Sequence, residues 1–165
     1  MKFLFYGLYI CNLLLIFGGR ALPASVAVHF SLSGTPNQWM NRETFLLSWG
    51  IYCTVMALAF GWSASGKIPL SSRFCNLPHK QYWLHPSRKD RAGKMLSSLL
   101  YQGGSGLFLF LGGVFLLLLH AHQTEPPHLA LPLFFLLLGG FFAAFIPWIF
   151  RFYRAFRKPK NSFEE

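Results

Sequence analysis

Residues 3–19, 44–64, 95–119 and 129–150 form four runs that contain no Asp, Glu, Lys or Arg. A hydrocarbon core is about 30 Å thick and an α-helix rises about 1.5 Å per residue, so about 20 apolar residues are enough to cross it. The last three runs meet that length, and the third has residues to spare for tilt. Backbone N–H and C=O groups in lipid have to bond within their own segment, which selects helices. The alternating short segments of a membrane barrel are absent. The expected fold is therefore all-α: one polytopic domain over 1–165 with four transmembrane helices. It has an outer loop at 20–43, a basic inner loop at 65–94, an outer loop at 120–128 and a basic tail at 151–165. The first run also admits a second reading, a signal peptide with small residues from Ala21 to Ala27 as a cleavage region.

Composition agrees with a membrane class. The chain is 53% hydrophobic and only 12% charged, against about 25% charged in soluble domains. Four spans leave no room for a separate soluble catalytic domain. The net charge of +10 would suit a nucleic-acid partner, but no nucleic-acid-binding fold is recognisable and the basic residues gather beside the apolar runs. Lys67, Arg73, Lys80, Arg88, Lys89, Arg91 and Lys94 lie between the second and third runs, and Arg151, Arg154, Arg157, Lys158 and Lys160 follow the fourth. Basic residues in short loops mark the cytoplasmic side, so both termini are expected inside. Arg20 and Arg42 are the only Lys or Arg in the two outer loops. Anionic lipid headgroups are the expected partner of the inner loop and tail, where each nearby cation contributes around 1 kcal/mol.

Pro86 and Ser87, with Asp90 three residues later, resemble a capping box, so a helix starting at Ser87 is expected to run into the third span and project into the cytoplasm. Ala57, Gly61 and Ser65, Gly106 and Gly113, and the pairs Gly139 with Ala143 and Gly140 with Ala144 recur at helical spacing and are candidate helix contacts. Pro147 is expected to kink the fourth helix near its inner end, with Trp148, Phe152 and Tyr153 in the headgroup zone.

The two longer loops read as shaped segments. In the outer loop, Val26, Val28, His29 and Phe30 suggest a short extended stretch, and Ser33 to Asn37 carries the turn chemistry of Gly34 and Pro36. In the inner loop, Asn76-Leu77-Pro78-His79-Lys80-Gln81-Tyr82-Trp83-Leu84 mixes prolines and aromatics, unlike a flexible linker. Pro23, His29-Phe30, Gly34, Pro36 and Trp39-Met40 after a first span, then Asn76, Pro78, Lys80 and Tyr82-Trp83 after a second, resemble a bacterial membrane-protein family. It is the family that contains the sporulation-delay toxin immunity protein, whose shared N-terminal domain has no known function. The resemblance covers about residues 22–86 with the flanking helices. It implies a multi-pass protein of the bacterial inner membrane, with immunity or signalling belonging to longer members. No catalytic residue carries over.

Weighed for chemistry, the sequence gives little. His29, His120, His122 and His128 fall on the expected outer side with Glu43 and Glu125, and His120-x-His122 with His128 could supply metal donors. The competing reading is interfacial histidines ending a helix, with His29 bonded to the Pro36–Trp39 turn. Cys11 and Cys53 lie within apolar runs and Cys75 in a basic loop, which suggests no disulfide. The spans offer only Asn12, Ser48, Thr54, Gln102 and Ser105, short of the ionisable groups a proton relay uses. No HExxH, GxSxG or P-loop motif occurs. The expected role is a non-enzymatic binding or accessory protein without a cofactor, meeting a peptide or membrane-protein partner through Trp39 and His29, with Tyr82 and Trp83 reading out or anchoring inside. A small membrane enzyme or metal-handling protein using the outer histidines is the alternative.

The orientation is tested by labelling single cysteines: a probe at Ser33 should react from outside, and one at Ser87 only from the cytoplasm. The reverse pattern overturns the charge argument.

Overall fold

The computed structural model describes residues 1–73 and 75–158. Lys160 and the rest of the expected basic tail from 159 onward lie outside the described residues. In chain order the elements are α1 (Lys2–Gly19), β1 (Ser25–Phe30), β2 (Pro36–Asn41), α2 (Arg42–Ala64), the short α3 (Lys80–Trp83), α4 (Pro86–Ala121) and α5 (Leu131–Ala155). The four long helices are each long and apolar enough to cross a membrane, the architecture of a multi-pass membrane protein.

The all-α expectation needs one correction. The loop expected on the outer side folds into an antiparallel two-stranded hairpin, β1 with β2. Val26, Val28 and Phe30 favour extended backbone, and the Gly34 turn between the strands lets them pair.

Helix ends explain the observed boundaries. Asn41 caps α2, its Oδ1 accepting from the Glu43 and Thr44 amides at 2.9 and 3.4 Å, and Glu43 places negative charge in the first turn. The Ser87–Asp90 capping box does not form. Pro86, with its φ already helical, occupies the first turn, so the helix begins earlier than expected and Ser87 and Asp90 fall inside it. Ser87 Oγ instead meets His85 Nδ1 at 2.8 Å, and Asp90 pairs with Lys94 at 2.7 Å. From there α4 runs for 36 residues. At about 1.5 Å each it is about 54 Å long and outreaches a hydrocarbon core of about 30 Å. The continuous run expected from the loop helix into the third apolar segment is present. Pro147 lies within α5, which continues past it to Ala155.

Lipid tails are as apolar as leucine, so burial from water does not hold such helices together; close approach and interhelical hydrogen bonds do. α4 is the common partner, touching α1, α2, α3 and α5. Phe5 of α1 is fully buried, with its ring centroid 5.0 to 5.4 Å from those of Tyr6, Tyr101 and Phe108. It fits because position 104 on α4 has no side chain: a Cβ there would come within 2.5 Å of the Phe5 ring. Asn12 donates from Nδ2 to the Phe108 carbonyl on α4 at 2.9 Å, and the Tyr9 and Thr54 hydroxyls meet at 3.1 Å between α1 and α2. Asn12 and Thr54 thus serve helix contacts, while Thr54 and Ser105 also bond carbonyls one turn back in their own helices.

The small-residue expectation is half right. Ala57 is buried, Gly61 sits against the Tyr6 hydroxyl, and Gly113 against Leu137 of α5. Gly106, Gly139 and Gly140 face open space, and Ser65 is the exposed residue ending α2. Close approach occurs instead at Gly19, against Leu46 and Phe115, at Gly103, against Trp148, and at Gly104. α5 leans on α4 and buries none of its residues.

Gly104→Ala should therefore lower the thermal stability of the detergent-solubilised protein by about 1–3 kcal/mol through overpacking. Gly139→Ala, with nothing near the new methyl, should be neutral or slightly stabilising because alanine is the better helix former. A thermal melt of both variants checks the pair.

Candidate functional site

The hairpin is the most organised surface feature, and its attachment can be built residue by residue. α1 ends at Gly19, and Arg42 at the start of α2 reaches back to it. Its Nη1 donates to the Leu22 and Arg20 carbonyls at 2.9 and 3.2 Å, while its Nη2 lies 3.1 Å from Glu43. The Arg42 amide donates to Ala24 at 2.9 Å, next to the first strand pair, Ser25 with Asn41. Pro23 is exposed between α1 and β1, whereas Leu22 and Val26 are buried against Phe45, Leu46, Phe115 and Leu118. The hairpin root is thus part of the helix core.

Three contacts bind the rest of the hairpin to the loop after α4. His122 uses both ring nitrogens: Nδ1 donates to Leu118 O and Nε2 accepts the Ala27 amide proton, each at 2.9 Å. A carbonyl on one side and an amide on the other fix the neutral tautomer with its proton on Nδ1. His128 donates from Nε2 to Ser33 O at 3.1 Å, and the Leu129 amide donates to Gly34 O at 2.9 Å. Gly34 is buried with φ at +80°, and a Cβ there would meet His128 and the Leu129 carbonyl at 2.7 Å. Both the backbone angle and the space demand glycine.

Within the hairpin, His29 Nδ1 donates to Asn37 Oδ1 at 2.5 Å, the bond to the turn expected of it, and Phe30 pairs with Pro36. The register shifts on either side of His29, a bulge of the kind that re-aims side chains. Ser31, Ser33 and Thr35 link their hydroxyls across the tip at 2.7 to 2.9 Å. Two large apolar side chains are left outward: Trp39 is 48% exposed and Leu32 at the tip is 89% exposed.

The inner-loop motif is gathered at the other end of the bundle. Trp83 is buried and donates from Nε1 to the Phe156 carbonyl at 2.9 Å, its ring edge-on to Phe156. That contact holds the inner loop against the end of α5. Tyr82 lies under the Arg88 guanidinium, 4.1 Å from the ring centre. Lys80 donates to the Ser72 carbonyl at 2.7 Å. Pro78 is half-buried, Asn76 is exposed, and His79 turns the chain into α3 with φ at +51°. Cys75 is partly buried, and that burial pushes its thiol up against the opposing pull of Lys80, which disfavours the thiolate that metal binding needs.

His29, His120, His122 and His128 do not converge. His122 and His128 hold the hairpin, and His120 Nδ1 meets Gln123 Oε1 at 3.0 Å. Among the described residues no three His, Cys, Asp or Glu side chains are grouped to hold a metal ion. Sequence reasoning missed Arg42, counted only as a charge, and the clamp made by His122. Only the hairpin in three dimensions shows that Ala27 needs an acceptor there.

Residues 8–51 match the family model Domain of unknown function (DUF1648). The matched segment comprises most of α1, the whole hairpin and the first part of α2. It includes Pro23, His29, Phe30, Gly34, Pro36 and Trp39, and it ends before the inner motif of Asn76, Pro78, Lys80, Tyr82 and Trp83, so that half of the resemblance lies outside the match. No curated protein and no solved structure matches the chain.

His122→Ala should speed hydrogen exchange at the Ala27 amide by roughly 2- to 10-fold, the loss of one charge-free hydrogen bond, while His120→Ala should leave that amide unchanged. Exchange measured by mass spectrometry on the hairpin peptides separates a clamp from a general loosening, which both variants would share.

Proposed function

We propose that this chain is a non-enzymatic binding or accessory protein of the bacterial cytoplasmic membrane. Its hairpin meets a peptide or a partner membrane protein on the outer face. The observation that carries the reading is the combination of a rigid mount and an apolar display: a hairpin fixed by Arg42, His122, His128 and Gly34 holds Trp39 and Leu32 outward. Exposed aromatics on a preorganised support are the residues that dominate interface energies, because little ordering remains to be done on binding.

Two further points support it. The family-model match coincides with α1 and the hairpin, the parts that build the display. The resemblance to the family with the toxin immunity protein suggests that membrane-active peptides are one class of partner, with the protein acting in immunity or signalling. In this reading both termini face the cytoplasm, and Trp83 anchors the inner loop so that it holds its shape.

The test is affinity capture of the tagged full chain from its native membrane in mild detergent, with and without Trp39→Ala and Leu32→Ser. A stoichiometric partner retained by wild type and reduced at least tenfold in the double variant supports the reading. Capture that is unchanged by both substitutions, in a variant that inserts and melts normally, removes the hairpin from the interface and overturns it.

A further inference from the structure

The basic end of α5 carries a groove that the hairpin reading does not use. It has a volume of about 900 Å³ and is walled by the Pro78–His79 turn on one side and by one face of α5 on the other. Its lining changes character along the helix. Ile146 and Phe150 come first and are 49% and 70% exposed; Arg151, Arg154 and Arg157 follow. Arg151 and Arg154 lie three residues apart on α5, so they share one side of it, and Arg157 follows two residues past its end. All three are exposed, and among the described residues no carboxylate pairs with any of them. Among the described residues the carboxylate at this end, Asp90, is paired with Lys94.

We propose that this groove is a binding site for one anionic phospholipid, its phosphate held by Arg151, Arg154 and Arg157 and an acyl chain lying along Phe150 and Ile146. The proposal rests on α5 crossing the membrane and is independent of what the hairpin binds. Guanidinium groups carry several donors in a planar fork suited to phosphate, and basic pockets beside transmembrane helices suit anionic headgroups. The order of the lining selects lipid over an acidic peptide. A ligand approaching from water has no use for the exposed Ile146 and Phe150, whereas a phospholipid presents charge and hydrocarbon in the same sequence along the membrane normal. The loop wall is held in place independently of any ligand, because Trp83 and Leu77 bury against Phe156 at the end of α5.

The experiment is native mass spectrometry of the full chain released from nanodiscs that contain equal amounts of phosphatidylcholine and phosphatidylglycerol, with acyl chains matched. Wild type should retain a single phosphatidylglycerol at least roughly tenfold over phosphatidylcholine, given the contribution expected of three cations near a headgroup. The triple variant Arg151→Gln, Arg154→Gln, Arg157→Gln should lose that preference. A second triple variant, Lys67→Gln, Lys89→Gln, Lys94→Gln, removes the same charge elsewhere on the basic end and should keep it. Equal loss in the two variants means diffuse attraction to the surface and overturns the site. Absence of any preference in wild type overturns it too, as does displacement of the lipid by millimolar inorganic phosphate, which would make it a site for soluble anions. None of these outcomes bears on capture through Trp39, so the two proposals stand or fall separately.

Discussion

Phe5 meets α4 at a glycine, and the spacing of the bundle follows from that contact. With lipid on the outside, two apolar helices gain nothing by leaving solvent, so their association has to come from atoms that touch. Gly104 lets the Phe5 ring lie against the α4 backbone, and Asn12, two turns along α1, is then close enough to bond the Phe108 carbonyl. The same closeness recurs toward the hairpin end, where Gly19 admits Leu46 and Phe115. α1 and α2 enter the hairpin already held at a fixed separation, and Arg42 can span from the start of one to the end of the other. The hairpin's rigidity is thus inherited from helix packing several turns away.

The bundle has two unlike sides. α1, α2 and α4 share a packed interior with two clusters of buried side chains, and a third joins the 70–84 segment to α4 and the end of α5. α5 stands beside it, in contact with α4 through Leu137 on Gly113 and Trp148 on Gly103, and its stacked Phe141, Phe145 and Trp148 rings line the seam. A helix so placed is held by a narrow contact, which is why its basic end, pinned by Trp83 to the Phe156 carbonyl, is secured from the loop as well as from the bundle.

Much of this was legible in the residues and some was not, for identifiable reasons. Long uncharged runs give helices because the bilayer leaves no other way to satisfy the backbone. That one helix would run from the loop into the third apolar segment was visible in Pro86 and the polar turn after it, although the cap was misplaced, since proline fixes φ and starts the helix before Ser87. The extended stretch and the Gly34 turn were visible in the outer loop. That they close into a hairpin was not, because pairing depends on register across a gap, and the bulge at His29 breaks the simple alternation. Glycine spacing pointed to Gly61 and Gly113 but also to Gly139 and Gly140, which face open space: a helical repeat says which residues share a face, not which face has a neighbour. The roles of His122 and His128 were the least legible. A histidine that accepts from a strand amide reads the same in sequence as one that binds metal, and only its partners separate the two.

The length of α4 acquires a meaning from what sits at each end. His122, just past its end, grips the hairpin, and Ala92, in its second turn, is packed in the cluster that holds Trp83. Both attachments belong to a single uninterrupted helix, in which each residue turns the chain by about 100° and advances it by about 1.5 Å. Adding or deleting one residue anywhere between them would swing one attachment about a quarter-turn away from its partner while the other stayed seated. Side chains along that stretch are free to vary wherever they face lipid, but their number is not. The helix acts as a gauge rod, and its residue count is as much a part of the fold as any contact it makes.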